Sequence, residues 1–263
     1  MLLRLLLLLL LAEAMRNVNS GPLKGAKKVS HTKEELKKQH DPETLEEMLN
    51  EDYALVEGDI LLKNSRNVVG NRWPMLSIPY DISPEINGRT RDILAAMAMV
   101  SDHTCLSFHR RNDSQHDYIF FKIGHGCASY VGFRGGAQNV FVAPECSVGN
   151  IAHEILHTLG FQHEHTRMDR EKYITILTQN IISGMENNFQ TYNGETFNLQ
   201  YDYASIMHYG RKFFSSNGEP TIVPNKDVED MGQRTRLTPS DIQRVLLLYG
   251  CGTEGKGDKN MTV

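Results

Sequence analysis

The run His153-Glu154-Ile155-Leu156-His157-Thr158-Leu159-Gly160-Phe161-Gln162-His163-Glu164 decides how this chain is read. His153 and His157 are four residues apart, so on a helix of 3.6 residues per turn they project from one face, a turn apart. Gly160 stands where that helix must stop, because glycine alone enters positive-φ backbone without a Cβ penalty. The reversal it permits can return His163 to the same point, and three imidazoles then leave a zinc ion one open position. Glu154 is rotated about 100° from His153 around the helix, which puts it beside such a metal, as general base toward a zinc-bound water. The remaining histidines, including His103, His109, His125, His165 and His208, have no comparable spacing and are expected in surface or hydrogen-bonded structural roles.

The rest of the chain sets the context. Its 263 residues can bury one good-sized core. A net charge of −4 without a long basic run argues against a nucleic-acid partner. Residues 1–14 read as a signal peptide: Arg4 precedes seven leucines, Leu5 to Leu11, and Ala12-Glu13-Ala14 has the small-x-small cleavage pattern. No later segment is apolar enough for a membrane anchor, so a secreted, extracellular product is expected. Residues 15–66, rich in Lys, Glu and Asn, are poor core material and read as a propeptide. The polar stretch around Arg66 suits an activating protease. Four cysteines, Cys105, Cys127, Cys146 and Cys251, predict two disulfides in an oxidising compartment, with three pairings open.

From Trp73 the pattern turns globular. Strands are expected at Leu76 to Tyr80, Tyr118 to Ile123, Cys127 to Val131 and Asn139 to Val142. Helices are expected at Arg89 to Val100, Gly149 to Leu159 and Pro239 to Tyr249, the last capped by Thr238. Residues 252–263 read as a disordered polar tail, and Asn112 and Asn260 head glycosylation sequons. No GxSxG elbow supports a serine hydrolase.

Ser205-Ile206-Met207-His208-Tyr209 adds a methionine turn to the zinc motif, the metzincin pattern. Together, HEILHTLGFQHEHTRMDR at 153–170, YASIMHYG at 203–210 and GCASYVG at 126–132 resemble the astacin family of zinc endopeptidases over about residues 67–251. The resemblance implies an α+β metzincin fold of two subdomains. A twisted mixed five-stranded sheet and the active-site helix lie above a cleft, and a less regular C-terminal subdomain with a terminal helix lies below. It further implies one Zn2+ per chain on His153, His157 and His163, with Met207 beneath and Tyr209 at a fifth position from which it turns toward the oxyanion. Ala128, Ser129 and Tyr130 occupy the edge strand that binds substrate antiparallel. Asp59, in Val56-Glu57-Gly58-Asp59, matches the aspartate that takes the open zinc position in proenzymes, although the family usually has Phe at the place of Val56. Glu164 matches the residue that receives the new N-terminal ammonium. The pairing implied is Cys105 with Cys251 and Cys127 with Cys146. An acidic residue after the cut is often favoured, for which Arg211 and Arg234 are both candidates.

The function expected is a secreted zinc metalloendopeptidase, made as a zymogen and working as a monomer on extracellular proteins or peptides. The alternative is a catalytically silent secreted binding or egg-coat protein on the same fold, against which the intact Glu154 and histidines count.

Overall fold

The computed structural model describes Glu43, residues 54–62 and residues 72–252. The signal peptide expected at 1–14, most of the expected propeptide at 15–66 including Arg66, Asn260 and the rest of the chain beyond Gly252 lie outside the described residues.

One mixed sheet organises the upper part of the molecule. Its strands are β1 (Ala54–Val56), β2 (Ile60–Leu62), β3 (Ser77–Ile82), β4 (Ser107–Arg110), β5 (Tyr118–Ile123), β6 (Ala128–Ser129) and β7 (Ala137–Val142), in the order β1-β2-β6-β7-β5-β3-β4. β3, β4, β5 and β7 run parallel, and β6 returns antiparallel to β7. These five are the mixed sheet that the resemblance implies. The hairpin of β1 and β2 extends it to seven, because β2 pairs parallel with β6 through Ile60 and Ser129. That addition departs from the composition of residues 15–66: Ile60 and Leu61 are buried, Leu61 against Ala128, Tyr130 and Phe141.

α1 (Thr90–Ser101) turns Ile93, Ala96, Met97 and Val100 inward at helical spacing. α2 (Val148–Thr158) is buried at every residue from Gly149 to Thr158, as a helix through the middle of a domain must be. A Ser147–Asn150 capping box starts it. At its other end the orphan carbonyls are met from elsewhere: the Trp73 indole N–H donates to the Thr158 oxygen at 2.9 Å and the Tyr249 hydroxyl to the Leu159 oxygen at 2.9 Å. α3 (Pro239–Tyr249) begins on a Thr238–Asp241 capping box and ends at Gly250, whose φ of +69° is left-handed.

Two cores result. The first fills the space between the sheet, α1 and α2 and reaches Val245 and Tyr249 of α3. The second is aromatic and poor in regular structure; Phe189, Tyr201, Tyr203, Tyr209, Phe213 and Phe214 pack around the short pair β8 (Ile174–Ile176) and β9 (Ile222–Pro224). Met207 belongs to the first core and Tyr209 to the second, so the zinc motif lies on their seam. Cys105–Cys251 and Cys127–Cys146 are the disulfides. Among the described residues, no helix is long and apolar enough to cross a membrane.

Candidate active site

α2 presents His153 and His157 from one face, with ring centroids 4.6 Å apart. Gly160, at φ +111°, turns the chain back, and His163 arrives with its Nε2 at 3.2 Å from the Nε2 of both other histidines. Each ring is aimed from behind. The Nδ1 of His153 lies 2.7 Å from the Ile206 carbonyl, that of His157 2.7 Å from the Phe161 carbonyl and that of His163 2.5 Å from the Glu57 carboxylate. These acceptors hold the ring protons on Nδ1, so the three Nε2 lone pairs converge on one point. Ligands 2.0–2.1 Å from a tetrahedral zinc stand about 3.3 Å apart, and the observed spacing matches. The residues present therefore fit the ion.

Asp59 completes the cluster. Its Oδ2 is 3.1 Å from the Nε2 of His153 and of His163, and its Oδ1, which has no hydrogen-bond partner, is 3.8 Å from the Nε2 of His157. It reaches there through a tight turn in which Glu57 and Gly58 both have positive φ, 55° and 76°. Burial works against the Asp59 anion, yet the field of His163 and bonds to His153 and His163 hold its carboxyl well below the usual range. Burial likewise opposes charge on His163, but Asp59 and Glu57 outweigh it and push it up to about 10. Burial takes His153 down to about 4.

Glu154 is fully buried beside this cluster, and neither carboxylate oxygen has a hydrogen-bond partner. Desolvation, reinforced by Asp59 and Glu43, raises its carboxyl well above the ordinary value, as befits a group that exchanges a proton. The methionine turn acts through backbone. Asp241 accepts from the Ser205 hydroxyl at 2.5 Å and the Ile206 N–H at 3.0 Å, which fixes the carbonyl that aims His153. Met207 itself is buried, and its carbonyl accepts the Glu164 N–H at 2.9 Å.

Tyr209 lies on His165, with ring centroids 3.8 Å apart, and donates its hydroxyl to the Glu57 carbonyl at 2.5 Å. Ser129 receives β2: its N–H donates to the Asp59 carbonyl at 2.9 Å, and its hydroxyl to the Glu154 carbonyl at 3.0 Å. Ala128 and Tyr130 flank it and are buried under Leu61. Phe133 packs edge-on to Trp73, with ring centroids 4.8 Å apart. Glu164 is 3% exposed, bound by Arg244 at 2.8 Å, Arg167 at 3.1 Å and the Asp202 N–H at 2.8 Å. Arg211 turns to the Val228 carbonyl, whereas Arg234 reaches the Glu43 carboxylate beside α2. Asn112 is exposed and accepts from Ser114. His103 and His125 are exposed, His109 bonds Ser77 and Gln115, and His165 and His208 are buried and hydrogen-bonded. Glu57 and Glu43 escape sequence reasoning, since each meets its partner more than a hundred positions away, with no spacing pattern to mark it.

Comparison with known proteins agrees with this geometry. The family profile described as Astacin (Peptidase family M12A) matches residues 65–250. Zinc metalloproteinase nas-4 of Caenorhabditis elegans is 36% identical over 241 residues, which cover 82% of this chain and 76% of that protein. Blastula protease 10 of Paracentrotus lividus is 42% identical over 193 residues, 68% of this chain but only 32% of the relative. Among solved structures, high choriolytic enzyme 1, a hatching enzyme zinc-protease of Oryzias latipes, superposes with a TM-score of 0.65 at 38% identity, covering 69% of this chain and 94% of that one. Three convergent imidazoles, a buried carboxylate beside them and this match over most of the chain lead to one conclusion: the protein belongs to the astacin family of zinc metalloendopeptidases.

Proposed function

We propose that the chain is the precursor of a secreted endopeptidase, latent until residues 15–66 are cut away near Arg66, which then hydrolyses extracellular proteins or peptides as a monomer. The position of Asp59 carries this reading: its carboxylate stands against all three Nε2 atoms, on the ground that an attacking water needs. β2 supports it. The strand lies parallel to β6, against the antiparallel sense expected of substrate, so its carbonyls meet the centre in reversed order and escape hydrolysis.

Zinc, when bound, supplies a water acidified to a pKa of about 7 and a Lewis acid for the carbonyl. The chain supplies the rest. Once β2 leaves, the N–H and C=O groups of Ser129 and its neighbours are open to an extended peptide, which adds as a strand. Glu154 takes the proton of the attacking water and returns it to the leaving amine; its dry surroundings suit it to hold that proton in between. Tyr209, freed from the Glu57 carbonyl, donates its hydroxyl to the oxyanion. Glu164 borders a cavity of about 590 Å³, also lined by Gln162, Phe197 and Arg244, with room for the new N-terminus and its ammonium. Arg234, close to α2, is better placed than Arg211 to take an acidic side chain after the cut.

The test compares uncut and processed protein on a mixed peptide library. Processed enzyme should cleave, lose activity to a chelator and regain it with zinc; uncut precursor should be inert; and uncut Asp59→Ala should gain activity. Metal-free processed protein that still cleaves, or an uncut precursor as active as the processed form, would overturn the reading.

A further inference from the structure

Glu43 precedes Asp59 by 16 residues, yet it too reaches the catalytic centre. It is 1% exposed, and its carboxylate accepts from the Arg234 Nε at 2.7 Å, from the Arg234 Nη2, and from the Asn150 Nδ2 at 2.5 Å. A carboxylate oxygen of Glu43, one of Glu154 and a ring nitrogen of His153 all lie within 4.8 Å of one another. Glu43 thus fills space on the Glu154 side of the zinc motif, whereas Asp59 fills the space among the three Nε2 atoms.

The receptor for this carboxylate is built without it. Arg234 is held by its own Nη1, which donates to the carbonyls of His208 at 3.0 Å and Gln233 at 3.1 Å. Its backbone presses on α2 at Gly149, where a Cβ would come within 1.7 Å of the Arg234 oxygen. Asn150 is locked in the capping box with Ser147. A paired guanidinium edge and an amide, both fixed in advance, form a fork that a carboxylate meets with little loss of freedom.

We propose that Glu43 is a second latch of the N-terminal segment, holding it across the catalytic centre independently of Asp59 by filling the receptor made by Arg234 and Asn150. The proposal rests on the reading of residues 15–66 as an inhibitory propeptide. Two anchors on one chain make each other's rebinding intramolecular. An Asp59 that lets go stays near its site while Glu43 holds, and the reverse. Latency is then deeper than either contact alone provides.

The experiment uses full-length uncut precursor, as wild type, Glu43→Gln, Asp59→Ala and the double variant, with hydrolysis of a fluorogenic peptide and amide hydrogen exchange of residues 54–62 as readouts. Glu43→Gln should speed exchange across 54–62 at least tenfold, and in the Asp59→Ala background it should raise activity at least tenfold. Processed enzyme from each precursor no longer contains residue 43 and serves as the folding reference. Glu43→Asp, which keeps the charge, should restore part of the protection. A latent wild type whose exchange and Asp59→Ala activity are indifferent to Glu43→Gln overturns the latch and leaves the inhibitory reading intact. An Asp59→Ala precursor already as active as processed enzyme overturns the latch as well. An active wild-type precursor overturns the inhibitory reading and the latch with it.

Discussion

At the scale of single residues, the site divides labour among side chains that differ in burial and partners. Glu154 has no hydrogen-bond partner at either oxygen and takes no part in the four-residue ligand cluster, so its removal should leave the metal in place. Glu154→Gln in the processed enzyme is expected to keep one zinc per chain by elemental analysis and to lose turnover by about 10²- to 10⁴-fold, the usual worth of a general base. His157→Ala should lose zinc and activity together. Comparable activity in either variant would remove these roles. In the proposed mechanism Tyr209 donates to the developing oxyanion, so Tyr209→Phe should lower kcat by about 10²-fold or more with KM little changed. Steady-state kinetics decide it, and an unaltered kcat would take Tyr209 out of the mechanism.

Elements hold these residues in place, and some of that support is pH-sensitive. His208, next to the methionine turn, is fully buried, accepts the Tyr201 hydroxyl on Nε2 at 2.7 Å and faces the Tyr209 carbonyl with Nδ1 at 2.8 Å. These partners suit the neutral ring, and burial lowers its pKa to about 4 from 6.5. The folded state therefore binds the proton less readily than the unfolded one. The resulting stability is complete above pH 6.5 and is lost as pH falls from 6.5 toward 4, on the order of 3 kcal/mol. Urea unfolding at fixed zinc should show that loss in wild type and a shallower one in His208→Gln; parallel profiles would refute it. The elements also show how far sequence reaches. α2, α3 and β5 were legible because helical spacing, capping residues and alternation are local. β4, β8 and β9 were not, since three or four residues carry too short a period, and β1 and β2 sit in a polar segment whose few apolar residues, Leu55 and Leu61 among them, find a partner surface at Ala128, Tyr130 and Phe141. The convergence of His153, His157 and His163 was legible for the same local reason, whereas Glu57 and Glu43 act over separations of 106 and 107 residues.

For the whole molecule, the decisive cross-link is Cys105–Cys251, which closes 146 residues and ties the chain beyond α3 to the start of β4. In the chain-entropy model a loop of that length stabilises by about 5 kcal/mol, against about 3 kcal/mol for the 19-residue loop of Cys127–Cys146. Replacing both members of the long bridge by Ser should therefore lower the thermal midpoint more than the same change in the short one. Calorimetry of the two variants reads the difference, and the opposite order would show that local bracing near β6 outweighs long-range closure.

The β2 and β6 pairing has a further consequence. Under the proposed function, the same short row of amides and carbonyls on β6 that pairs with β2 serves first a resident tenant and later every visiting polypeptide. Evolution cannot strengthen its grip on targets without making eviction of the tenant harder, nor loosen it for prompt awakening without weakening capture. Selectivity among targets and depth of dormancy must then be tuned elsewhere, by side chains off that row.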